Sequence, residues 1–167
     1  MAKLYRRTKG EKMINEYNKT LNVTKMRDVK TPTRGTAGSA GIDFYVPNDY
    51  PAHLCSVPPG GRYFIPSGIR ANVPKGFALV AFNKSGVALK KQLIVGAAVV
   101  DSDYQGEIHL HLINSSNNTV EIQPGEKITQ FLLLPVNHCD ISVIDQDKLF
   151  DTETTRGQGG FGSTGNE

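Results

Sequence analysis

The sequence predicts an all-β domain, and three observations carry that expectation. Short apolar segments recur from Leu21 to Val136, with Gly, Pro, Asn or Ser between nearly all of them. Several alternate apolar and polar residues, the two-residue period of a half-buried strand. No long stretch shows a helical period apart from residues 11–21. Regularly spaced strands without intervening helices point to a sandwich or barrel and away from alternating βαβ units.

The elements follow in order. Residues 21–26 (Leu-Asn-Val-Thr-Lys-Met) alternate and predict the first strand, and 32–41 is a loop of small residues. Further strands are expected at 42–46, 61–65, 68–73, 77–82, 93–100, 107–113, 119–122 and 127–136. The run Glu107-Ile-His-Leu-His-Leu-Ile113 alternates cleanly, which sets its polar residues on one face and its apolar residues on the other. Gln123-Pro-Gly-Glu126 is a tight turn between two strands. Pro135 ends the apolar run 131–134, and 140–151 is a connector to a glycine-rich tail. The expected organisation is a basic extension at 1–19, a β domain at 20–151 and a tail at 152–167.

Bulk composition narrows the function classes. With 167 residues, 38% of them hydrophobic and no tryptophan, the chain suits one domain with a modest core. No apolar run reaches bilayer length, so no membrane partner is expected. The basic N-terminus lacks an apolar h-region, which predicts a cytoplasmic setting. Six Lys/Arg and two Asp/Glu fall in residues 1–19, leaving 13 and 14 in the remainder, so the body is nearly neutral and no nucleic-acid partner is expected. The basic leader is read as a solvated extension whose partner is unknown. Cys55 and Cys139 lack metal-ligand spacing and are expected to be reduced thiols.

Five segments carry candidate chemistry. In Asp101-Ser-Asp-Tyr-Gln-Gly-Glu107, Asp101 stands where an apolar run emerges into a turn; a partly desolvated carboxylate there suits a general base for water, although an ordinary hairpin turn has the same composition. Asn83-Lys-Ser-Gly86 joins the cation of Lys84, the hydroxyl donor of Ser85 and the close backbone approach of Gly86, as a phosphate loop or a solvated turn would. Ala37-Gly-Ser-Ala-Gly-Ile-Asp43 places an acid after a small-residue loop, suited to a magnesium-bound water or to a strand start. Gln130, in Pro124-Gly-Glu-Lys-Ile-Thr-Gln130, is an amide among apolar neighbours that needs partners, either backbone groups or phosphate oxygens. The tail Arg156-Gly-Gln-Gly-Gly-Phe-Gly-Ser-Thr-Gly165 offers a guanidinium fork, uncovered N–H groups at glycines including Gly160 and Gly162, and a ring, Phe161, able to lie on a base. It reads as a lid ordered by ligand or as a glycine-rich terminus. His109 and His111 share a strand face, but no third ligand has zinc spacing, so the pair is expected to face solvent or an interface.

Taken together, and in their order along the chain, the five segments resemble the five motifs of trimeric dUTPases, over residues 20–165. The resemblance implies a β jelly-roll that assembles as a homotrimer with a flexible C-terminal lid, each active site drawing on all three chains. It implies hydrolysis of dUTP to dUMP and pyrophosphate with Mg2+, by water attack at the α-phosphorus, which limits uracil in DNA and supplies dUMP. On that likeness Asp101 activates the water, and Tyr104 packs beneath the deoxyribose and excludes a 2′-hydroxyl. Lys84, Ser85, Gly86 and Gln130 contact phosphates, and Asp43 joins the magnesium shell, the ion itself being held mainly by the triphosphate. Arg156 meets the γ-phosphate, Phe161 covers uracil, and Ser163 and Thr164 add phosphate donors. Two departures stand out. Lys84 replaces the arginine usual in the second motif and loses its planar fork. The base-reading hairpin has Val95, Gly96, Ala97 and Ala98 where many members place an asparagine, so backbone groups of Gly96, Ala97 and Ala98 are expected to read the base. A dual dCTP/dUTP hydrolase, a dCTP deaminase-like enzyme and a nucleotide-gated regulatory protein are the alternatives on the same fold.

Overall fold

A computed structural model describes residues 20–160 of the chain. It divides between Asn137 and His138 into two compact units. Among the described residues the larger unit holds every strand, and all pairing in it is antiparallel.

The described residues form twelve short strands in chain order: β1 Asn22–Lys25, β2 Thr33–Arg34, β3 Ile42–Tyr45, β4 Ser56–Val57, β5 Arg62–Pro66, β6 Ile69–Asn72, β7 Phe77–Asn83, β8 Leu93–Val95, β9 Val99–Val100, β10 His109–Asn114, β11 Val120–Glu121 and β12 Lys127–Pro135. The main sheet runs β2-β3-β12-β7-β9, a second β5-β10-β8, and two ribbons pair β1 with β6 and β11 with β4. Alternation along the strands builds the core. Tyr63 and Ile65 of β5 and Leu110 and Leu112 of β10 point inward, and Phe44 of β3 meets Phe131 of β12 with ring centroids 4.4 Å apart. The Tyr63 hydroxyl, deep in this core, donates to the carbonyls of Cys55 (2.8 Å) and Val120 (2.6 Å), which ties the β4–β11 ribbon to the second sheet.

The all-β expectation holds, with four local differences. The expected strand 93–100 is broken: β8 pairs with β10 and β9 with β7, so residues 96–98 carry the chain from one sheet to the other. The loop expected at 32–41 contains β2, whose pairing with β3 uses backbone groups that side-chain periodicity does not report. β4 falls in the stretch between the expected strands 42–46 and 61–65, where no strand is expected. Ser85–Lys91 forms a helix, α1, with Lys90 and Lys91 in its last turn, where cations suit the helix dipole. Seven residues cover fewer than two turns, too little to display a 3.6-residue period. The turn at Gln123–Glu126 forms as expected, with Glu126 N–H bonded to Gln123 C=O and Gly125 at φ 78°, the conformation the third residue of a type II turn requires. The expected helical segment 11–21 lies almost wholly outside the described residues. Both cysteines are free thiols, Cys55 buried and Cys139 exposed. Among the described residues no helix is long and apolar enough to cross a membrane.

Candidate active site

The first group of candidate residues gathers at one end of the main sheet. A register shift in β12 between Lys127 and Thr129 sets Gln130 opposite Asp43 on β3, while Lys127 pairs with Tyr45. Asp43 is buried, and its two oxygens receive the ammonium groups of Lys84 and of Lys127 (3.1 Å). Burial pushes the Asp43 carboxyl upward, but the hydrogen bonds and charges of the two lysines outweigh it and hold the group below the usual aspartate range. Lys84 N-caps α1, so Ser85 and Gly86 open that helix. Gln130 Nε2 donates to the Asn83 carbonyl at 2.7 Å, and a Cβ at Gly41 would overlap the Gln130 amide, which explains a glycine there. Gln130 is therefore half-buried with a backbone partner, and Lys84 is ion-paired with a carboxylate of its own chain.

The second group lies around the 96–98 segment. Asp101 follows β9 directly, and Tyr104 N–H closes the turn onto Asp101 C=O at 3.2 Å. The Tyr104 ring folds over Gly106, whose missing side chain makes room for it, and its hydroxyl donates to Glu107 C=O at 2.9 Å. Ala97, Ala98, Asp101 and Tyr104 line one cleft of about 210 Å³ together with Phe64 and His109. The partial desolvation expected of Asp101 is absent in this chain: its carboxylate is exposed, because the chain turns away from the sheet immediately after Val100.

These two groups are not adjacent. Val100 pairs with Leu79 and Val99 with Val80, so Asp101 leaves β7 near its start, whereas Lys84 follows its end. Leu79 and Lys84 are separated by about 17 Å of strand at ~3.3 Å per residue. In the smaller unit, Arg156 Nε donates to Gly159 C=O at 2.9 Å and Gly157 takes φ 50°, so the arginine is folded into its own turn, with Gly160 just beyond. Phe161, Gly162, Ser163 and Thr164 lie outside the described residues.

Sequence reasoning did not single out Asn83, Lys127, Phe64 or His111 for the site. Asn83 Oδ1 accepts Val95 N–H at 2.7 Å and so links the end of β7, beside Lys84, to the 96–98 segment. His111 accepts from that segment too, with Nδ1 to Ala97 N–H at 2.8 Å. Phe64, 60% exposed, stacks on His109 at 4.5 Å. The outward positions of His109 and His111 were legible from the period of β10, but their cross-strand partners depend on register, which periodicity does not give.

With short antiparallel strands throughout its larger unit and candidate groups gathered at turns and strand ends, the molecule falls in the class of small β jelly-roll proteins. A family model described as dUTPase matches residues 27–165, and the chain belongs to that family. It is 38% identical over 136 residues to the deoxyuridine 5′-triphosphate nucleotidohydrolase of Candida albicans, covering 81% of each chain. To the protein of the same name from Chlamydia pneumoniae it is 41% identical over 136 residues, covering 80% of this chain and 90% of that one. Among solved structures, the Staphylococcus bacteriophage 80alpha dUTPase with dUPNHPP superposes with a TM-score of 0.75 at 21% identity, over 87% of this chain and 98% of that one. A mutant dUTPase of phage phi11 of S. aureus, described with a coordinated structural Mg(II) ion, gives a TM-score of 0.65 at 16% identity, over 77% and 98%. These two likenesses bear on the fold.

Proposed function

We propose that this chain is a dUTP diphosphatase, cleaving dUTP to dUMP and pyrophosphate. The observation that carries the reading is the cleft in which Asp101 and Tyr104 stand beside the backbone of Ala97 and Ala98. A base read by that backbone would bring its sugar over the Tyr104 ring and its α-phosphate toward the carboxylate. Asp101 takes a proton from water as the water oxygen bonds to the α-phosphorus and the bond to the bridging α–β oxygen breaks, releasing pyrophosphate. Lys84, Ser85, Gly86 and Gln130 receive phosphate oxygens, Arg156 the γ-phosphate, and Gly160, Phe161, Gly162, Ser163 and Thr164 close over the nucleotide from residues 152–167, beyond the jelly-roll body at 20–151.

Mg2+ is read as part of the substrate complex. Among the described residues no group of three or more His, Cys, Asp or Glu is placed to hold a metal, and Asp43 is the carboxylate of the phosphate corner. Each Asp43 oxygen meets one lysine and keeps a lone pair for a water of the ion's shell, a fit for outer-sphere contact to an ion carried by phosphates. Bound there, the ion would neutralise charge on the triphosphate. Homotrimeric assembly with shared sites is part of the same reading. The separation of Asp101 from Lys84 along β7 exceeds the length of a triphosphate chain, so the turn of one copy would work with the phosphate corner of another.

The test is pyrophosphate release with Mg2+ from dUTP, dCTP, dTTP and UTP at matched concentration. Hydrolysis confined to dUTP is expected; equal turnover of dCTP would replace this reading with a dual-specificity hydrolase, and absence of turnover would refute it.

A further inference from the structure

Three consecutive N–H groups, of the last residue of β8 and the first two residues of the segment that leads to β9, are held by Asn83 and His111. Val95 N–H donates to Asn83 Oδ1 at 2.7 Å, Gly96 N–H to His111 C=O at 2.9 Å, and Ala97 N–H to His111 Nδ1 at 2.8 Å. On the far side, Ala98 C=O accepts Ala81 N–H at 2.7 Å. Among the described residues Ala97 C=O and Ala98 N–H make no hydrogen bond, and both residues border the cleft that holds Asp101 and Tyr104. The His111 ring lies where a Cβ on Gly96 would stand, with Phe64 edge-on to it at 6.0 Å.

We propose that His111 is the positioning residue for base selection, its Nδ1 holding Ala97 N–H so that the neighbouring Ala97–Ala98 peptide keeps one orientation toward a pyrimidine edge. This rests on the assignment of residues 96–98 as the base-reading segment. A trans peptide turns its C=O and its N–H to opposite sides, and with the C=O toward the base it accepts the N3–H of uracil. Cytosine carries a lone pair at N3, which that carbonyl repels and which the N–H of a flipped peptide would satisfy. The orientation of the peptide therefore separates the two bases, and the Nδ1 bond is what resists the flip. Nδ1 accepts only while it carries no proton, so the ring proton of this arrangement is on Nε2.

The experiment compares wild type, His111→Ala and His111→Asn as full-length proteins, by amide exchange at Ala97 and by kcat and KM for dUTP and dCTP. His111→Ala is expected to speed Ala97 exchange and raise KM for dUTP by about tenfold each, leave kcat within about twofold, and narrow the dUTP/dCTP ratio of kcat/KM by about tenfold, the scale of one hydrogen bond. His111→Asn carries Oδ1 along the same bond path as Nδ1 and should restore all three. Unchanged Ala97 exchange, unchanged selectivity in His111→Ala, or an Asn variant no better than Ala would overturn the role while leaving normal wild-type activity intact. A wild type inert toward dUTP would instead bring down the proposed function, and this role with it.

Discussion

Asp101 is exposed and contributes no side-chain hydrogen bond to the described structure, so Asp101→Asn removes a base without removing a structural contact. Turnover of dUTP should fall by about 10²–10⁴-fold with thermal stability and nucleotide binding retained, measurable by pyrophosphate release alongside calorimetry. A fully active variant would remove Asp101 from the mechanism. Asp43 differs in that its charge is part of the fold. Its carboxyl is depressed in the folded state by Lys84 and Lys127, so it contributes stability at neutral pH, above the range where an unfolded aspartate titrates, and that contribution is lost as pH falls through its folded value. Asp43→Asn should cost about 1–3 kcal/mol at pH 7, less than loss of a fully buried partner because Lys127 stays half exposed, and should flatten the acid limb of the stability curve. An unchanged acid limb would mean that the pair is energetically silent.

At the scale of elements, the 96–98 segment and the β4–β11 ribbon owe their positions to side chains reaching across sheets. Tyr63 is the clearest case. Its phenol is almost fully buried, makes two carbonyl contacts, and is pushed up to about 12, first by burial and then by nearby acidic groups. Because the folded value lies above the ordinary one near 10, the stability it contributes is present below that ordinary value and is lost as pH rises toward about 12. Tyr63→Phe leaves the carbonyls of Cys55 and Val120 without this donor and should lower stability by about 1–3 kcal/mol at pH 7 while weakening the alkaline dependence, as denaturant melts at several pH values would reveal. An unaltered melting profile would show that water replaces the phenol at no cost.

For the whole molecule, the separation of Asp101 from Lys84 along β7 leads to a mixing experiment. Asp101→Asn and Lys84→Gln chains are each expected to be nearly inactive. If sites are shared, refolding them together at equal concentration should return roughly a quarter of the sites by random assortment. No recovery above either parent would place a complete site within each chain.

The sequence by itself determined the all-β class, the order of most strands, the turn at Gln123–Glu126 and the candidate groups Asp43, Lys84, Asp101, Tyr104, Gln130 and Arg156, because periodicity, turn chemistry and short motifs are local properties of the chain. The tertiary structure alone decided that the apolar run 93–100 divides between two sheets, that Ser85–Lys91 becomes a helix, that Lys127 joins Lys84 on Asp43, and that His111 holds Ala97. Each of these depends on which strand lies beside which and in what register. A one-residue slip turns every side chain to the opposite face, and no local pattern within one strand records the register of its partner.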